Sequence, residues 1–203
     1  MKLFIMACLI IPTLWASGQV KQHKSIAFAI TNNNTAKPFQ KFSSLFSGVV
    51  HPGFRISYGF NWRTKDKHDW FQQFHAGYFY HRFVQHAIPI YTDFGYRYKL
   101  LPALHLAASI GAGYMHSIPA TAVLEADEEG NYSNAKGAGR PQAIATFTLE
   151  ARYNFNVSTQ NNAALFFNYQ QQLQTPFIKS YVPLLPYNVA TIGLSIPLKS
   201  GNK

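Results

Sequence analysis

The sequence predicts an all-β chain, closed as an eight-stranded antiparallel up-and-down transmembrane β-barrel. Two observations carry that reading. Between His51 and Met115 four consecutive segments alternate residue by residue, large apolar on one face and polar or small on the other, and period two is the strand signature. The apolar face carries large aromatics and no charge, while the other face is rich in Gly, Ala and Ser and holds the charges. Lipid outside and packed polar groups inside demand that polarity. A soluble barrel of the lipocalin sort would invert it.

Export is read from the first residues. Lys2 gives a positive start, Leu3 to Leu14 is apolar but too short to span a bilayer, and Ala16-Ser17-Gly18 has the small residues of a cleavage site. Residues 1–18 are therefore expected to be a secretory signal peptide, and residues 19–203 the barrel domain. The one cysteine, Cys8, lies in the signal, so no disulfide is expected. Losing Lys2 leaves seventeen cations against eight acids, a net charge of +9. Behind an export signal that charge fits anionic lipid and lipopolysaccharide phosphates rather than nucleic acid. The expected place is the outer membrane of a Gram-negative bacterium, with outer-membrane lipid and lipopolysaccharide as partners, a monomeric state and no cofactor.

The strands follow in order. Lys24 to Asn32 is the first, with Ile26, Phe28 and Ile30 outward, and Asn32, Asn33 and Asn34 ending it. In the connection to His51, Phe39, Phe42, Leu45 and Phe46 recur at helical spacing and suggest an amphipathic turn. The second strand, Phe54 to Trp62, alternates with Arg55, Ser57, Gly59 and Asn61. The third puts Phe74, Ala76, Tyr78 and Tyr80 against Gln73, His75, Gly77 and His81. Arg82 to Ala87 connects it to the fourth, where Ile88, Ile90, Thr92, Phe94, Tyr96 and Tyr98 oppose Tyr91, Asp93, Gly95, Arg97 and Lys99. Pro102 marks the turn into the fifth, Leu104 to Tyr114. A loop is expected from His116 to Gln142, holding Glu125, Asp127, Glu128 and Glu129. The sixth strand is Ala143 to Asn156, the seventh Ala163 to Leu173 and the eighth Asn188 to Leu198. The long connections follow odd-numbered strands, the pattern of outer loops against short periplasmic turns. Trp62, Trp70, Tyr98 and Phe155 would form one aromatic girdle, and Tyr80, Tyr114 and Tyr187 the other.

Eight strands leave room only for side chains inside. Arg55, His75, Asp93, Arg97, Lys99, His105, Glu150 and Arg152 fall on the inner face and are expected to pair as a polar plug, because unpaired buried charge is costly. At the outer end, folding the second strand on the third sets His51 opposite His81. His86-Ala87-Ile88-Pro89 and His116-Ser117-Ile118-Pro119 repeat a His-x-Ile-Pro pattern. No spacing there enforces metal geometry, and no metal site is assigned. His81, Arg82, His86, His116, Arg140 and Lys179 are the candidate binding residues, a rim for an anionic partner, with the histidines gaining charge as pH falls toward about 6.5. A lipid A deacylase or acyltransferase at the rim is the alternative, with His116 and Ser117 as candidate catalytic residues; neighbours on a strand, however, point to opposite faces. A narrow pore is a third reading.

These features resemble the eight-stranded outer-membrane barrels of the OmpA and OmpX type. The stretches GYFYHRFVQHAIP (77–89), GYMHSIPAT (113–121), GRPQ (139–142) and QTPFIKSYVP (174–183) are also similar to those of an uncharacterised group of outer-membrane barrel proteins. The resemblance implies fold, compartment and insertion by the barrel assembly machinery, and assigns no catalytic residue. Such barrels usually end on an aromatic residue, whereas this last strand ends at Pro197-Leu198 with a tail to Lys203.

Overall fold

The computed structural model describes residues 23–35, 48–122, 124–126, 130–134, 137–155, 163–177 and 183–198. The expected signal peptide, the expected amphipathic turn, Lys179 and residues 199–203 fall outside them. The strands are β1 (Lys24–Thr35), β2 (Pro52–Thr64), β3 (His68–His81), β4 (Gln85–Lys99), β5 (Leu104–Pro119), β6 (Leu124–Ala126), β7 (Tyr132–Asn134), β8 (Arg140–Asn154), β9 (Ala164–Thr175) and β10 (Leu185–Leu198). Eight of them close as β1-β10-β9-β8-β5-β4-β3-β2. Every neighbouring pair in this ring is antiparallel, and β1 pairs with both β2 and β10. Closure leaves no edge whose backbone groups lack partners, the condition for crossing lipid with strands.

The alternation decides which face is which. Along β4 every odd residue is buried until the strand reaches Lys99, while Ile88, Ile90, Phe94, Tyr96 and Tyr98 are exposed. Mid-strand Ile110 on β5 is 66% exposed, and Phe54, Phe74 and Ile192 also face outward. Such a continuous apolar exterior would be a liability in water and is the expected surface in lipid. The interior is polar: its buried side chains are largely charged, amide or hydroxyl groups.

Small inward residues let this interior close. A Cβ on Gly111 would lie 1.9 Å from Asp93 Oδ1 and 2.4 Å from the Thr92 carbonyl oxygen. Glycine is required there for Asp93 to reach across the barrel.

Several elements differ from the sequence reading. β1 runs through the asparagines to Thr35, because Asn33 and Asn34 remain in register with Val189 and Asn188. The connection after β3 is only residues 82–84, since His81 already pairs with Gln85. The expected loop 116–142 is shortened from both ends: β5 continues to Pro119, β8 starts at Arg140, and β6 and β7 make a hairpin between them. Gly130, at φ 86° in the β6–β7 connection, occupies a conformation that glycine adopts without strain. Tyr187 does not join an outer girdle. It faces inward and is fully buried, packed edge-on to Phe79. At the end where β1 starts, an irregularity between Asn61 and Arg63 leaves Trp62 exposed on a bulge.

Candidate functional site

The inner face is stacked in three layers. Nearest the start of β1 and the end of β10 lies a charged layer. Its centre is Glu150, whose Oε1 accepts from Arg152 Nε at 3.0 Å and from Arg97 Nη2 at 3.4 Å. The Arg97 guanidinium also lies 4.4 Å from the centre of the Phe71 ring, a cation–π contact. Lys99 pairs with Asp69 at 3.0 Å and donates to the Lys65 carbonyl at 2.7 Å, closing the mouth at this end. His105 is half-buried beside the Asn154 amide, 3.2 Å away.

The middle layer is built on Asp93. Thr146 donates to its carboxylate at 2.7 Å, and Ser109 and Thr148 at 3.3 Å each. His75 Nε2 stands 3.7 Å from it. The other nitrogen of His75, Nδ1, shares a 2.7 Å hydrogen bond with Ser57, and its ring stacks on Tyr91. Arg55 donates to the Tyr91 hydroxyl at 2.8 Å. Three separate strands, β5, β8 and β3, thus supply partners to one carboxylate on β4. Such a network sets the register of all four strands at once.

Toward the loop end, amides replace charges. Gln85 and Gln174 bond reciprocally, at 2.7 and 3.0 Å. Gln85 also donates to Tyr187, and Gln174 to Gln142, which in turn donates to the Pro176 carbonyl. His51 and His81 lie in the mouth at this end, stacked with ring centres 3.7 Å apart.

The candidate residues therefore separate. Arg55, His75, Asp93, Arg97, Glu150 and Arg152 are buried together inside, and Lys99 and His105 close the end where β1 starts. His81 is 5% exposed and is shielded within the mouth by His51 and Tyr187. This is a correction to its place on an open binding rim: parity turns it inward. His86 and His116 turn outward instead. His86 shares a 2.7 Å hydrogen bond with the Tyr78 hydroxyl; His116 shares one with Tyr114 at 2.9 Å and donates to the Ala138 carbonyl at 2.8 Å. The His-x-Ile-Pro repeat has a structural basis, because the two copies pair antiparallel, His86 with Ile118 and Ile88 with His116. Ser117 is buried inside while the His116 ring lies outside, so this imidazole is not presented to that hydroxyl as a base. Arg82 and Arg140 are exposed at the loop end. Arg82 lies over Phe83 at 4.8 Å and Arg140 over Phe177 at 5.9 Å.

His51, which lies before β2, has its pKa pushed below 6.5, first by burial and then by the charge of Arg82. The histidine charge expected at the loop end on mild acidification is therefore opposed at this residue. A histidine with a depressed pKa contributes stability above its unfolded value, and that contribution is lost as pH falls through the folded value.

Asp69, Gln85, Gln142, Asn168, Gln170 and Gln174 were not singled out from the sequence. Asp69 shares the parity of His75 and could have been found by extending that strand backward. The run Gln170-Gln171-Gln172 hides its own alternation.

The barrel is similar to several solved structures. Ail, the attachment invasion locus protein of Yersinia pestis, solved in complex with the heparin analogue sucrose octasulfate, aligns with 12% identity and a TM-score of 0.46 over 87% of this chain and 97% of its own. The outer membrane enzyme PagL aligns with 8% identity and a TM-score of 0.48 over 86% and 99%. OprG from Pseudomonas aeruginosa aligns with 9% identity and a TM-score of 0.37 over 88% and 95%. No family model and no curated protein matches the chain. The fold assignment rests on the strand pairing of this chain itself.

Proposed function

We propose that this chain is an integral outer-membrane barrel whose interior is structural and whose loop end docks the phosphates of lipopolysaccharide. One observation carries the reading. Arg82 and Arg140 are exposed at the same end, each laid against an aromatic ring, and neither belongs to an ion pair among the described residues. The interior arginines Arg97 and Arg152, by contrast, share Glu150. A guanidinium held on a ring keeps its donor edge available for a phosphate, which it can bind bidentately. The ring also restricts the side chain, so less entropy is lost on binding. The buried polar layers direct interest to this end rather than to a path through the centre. His86 and His116, already bonded to tyrosine hydroxyls, act in this reading as wall residues that steady the outer ends of β4 and β5.

The test replaces Arg82 and Arg140 together by Gln and measures binding of purified lipopolysaccharide by the refolded protein at two ionic strengths. The expected result is weaker binding, with the larger loss at low salt, where screening is least. Two surface contacts of about 0.5–1 kcal/mol each correspond to roughly a five- to thirty-fold weakening. Unchanged binding at low salt would remove this function and leave the barrel without a docking role at these residues.

A further inference from the structure

We propose that the barrel holds one small monovalent anion, of the halide class, beside Arg55. Arg55 is 5% exposed, yet it belongs to none of the ion pairs between described residues. Its hydrogen bonds go to neutral groups, and Asp93 and Glu150 act on it only from beyond ion-pair distance. Nη1 donates to the Tyr91 hydroxyl at 2.8 Å and approaches Gln170 Oε1 at 3.5 Å. Nη2 meets the Asn168 carbonyl oxygen at 3.0 Å when that amide is oriented to satisfy both of its ends. Asn168 then passes a hydrogen bond on to Glu150, but Glu150 is already engaged by Arg97 and Arg152. Asp93, the carboxylate of the same layer, spends its oxygens on Thr146, Thr148 and Ser109.

The charge count supports the same conclusion. Along the inner face Arg55, Arg97, Lys99 and Arg152 stand against Asp69, Asp93 and Glu150. With the histidines neutral, one positive charge is left over across the interior as a whole, and Arg55 is the cation of the four that belongs to no ion pair among the described residues, since Arg97, Lys99 and Arg152 each do. An uncompensated charge inside a barrel is costly.

A receptacle lies beside this charge. Arg55 and Gln172 border a cavity of about 20 Å³ that Asn33, Tyr91 and Gln170 also line. Arg55 Nε and Gln172 Nε2 are buried donors with no acceptor among the described residues. Gln172 is 3% exposed. A space of this size accommodates one water-sized body, close to the size of chloride and too small for sulfate or phosphate. A water could accept from both N–H groups but would leave the surplus charge in place. A halide accepts from both and neutralises it.

The test uses the refolded full barrel in detergent micelles. Its thermal unfolding midpoint is measured in sodium chloride, sodium bromide and sodium gluconate at one total ionic strength. The expected result is a midpoint that rises with halide and not with gluconate. Once the site is largely occupied, the rise should be about 3–6 °C per tenfold increase in halide. Arg55→Gln should abolish this dependence. Because that variant could also fail to fold, Gln172→Glu is the second arm. It places a carboxylate beside Arg55, so this variant should fold without halide and melt at one temperature in all three salts. Crystals grown in bromide should show an anomalous peak within hydrogen-bond distance of Arg55 Nε. Midpoints that are equal in the three salts for the parent protein would overturn the proposal. So would a halide dependence that survives Gln172→Glu, or a water alone in the cavity of bromide-grown crystals.

Discussion

Replacing Glu150 with alanine should lower the stability of the folded barrel by about 3–5 kcal/mol, the usual cost of removing one member of a buried ion pair. Glu150 is the shared acceptor of Arg97 and Arg152, and all three side chains are buried. The two guanidiniums, on β4 and β8 with only β5 between these strands, would then be left with no carboxylate between them. Asn168, whose amide nitrogen donates to the second oxygen of Glu150 and to the Phe167 carbonyl, would lose one of these two acceptors as well. Reversible urea unfolding in lipid vesicles measures the loss. The triple replacement Arg97→Met, Glu150→Leu, Arg152→Met should recover most of it, because a hydrophobic set of similar volume removes the desolvation penalty along with the pairing. A loss below about 1 kcal/mol for Glu150→Ala, the worth of an exposed pair, would mean that water reaches this layer.

The second large effect is on the outer wall. Ile110 sits mid-strand on β5, flanked by Phe94 on β4 and Phe147 on β8, with its side chain outward. Arginine there should cost about 2–4 kcal/mol, as measured for lipid-facing positions near the bilayer midplane. Arginine at Phe155, exposed just past the end of β8, should cost only about 0–1 kcal/mol. The gradient between the two is the informative quantity. Equal penalties in the same vesicles would show that the exposed apolar belt does not lie in the hydrocarbon as assigned.

The outer wall was legible in the sequence because lipid and interior impose opposite demands on successive residues. β4 and β8 show this plainly: Phe94, Tyr96 and Leu149 point out while Asp93, Arg97 and Glu150 point in. What failed was the placing of Tyr187 in the outer girdle. Phe71 and Tyr187 lie inside, Phe71 as a platform for Arg97 and Tyr187 as a partner for Gln85. A narrow barrel fills its centre with whatever packs and bonds, so a ring under a guanidinium is as suitable as a small residue. Strand ends were also misjudged where turn-forming residues stay paired, as with the asparagines of β1.

The pairing inside was less legible than the faces. Arg55 meets Gln170 from 115 residues away, and Asp93 meets Thr146 from 53. Such contacts depend on the register of every strand between them, and a slip of one residue would turn each side chain to the other face. The rim suffered from the same cause. Neighbouring positions in sequence were grouped as one surface, yet alternation sends His81 inward and His86 outward. Only Arg82 and Arg140 remain exposed at that end among the candidate cations the structure describes.

Buried polar layers close the barrel, and in the proposed reading its work is done at its surface. Single-channel recording in planar bilayers tests this most directly. The closed interior predicts a silent membrane, broken at most by small and rare openings, across the range of voltages the bilayer tolerates. A steady ohmic current from the purified, folded protein would contradict it, because Glu150, Asp93 and their partners would then line water instead of binding one another.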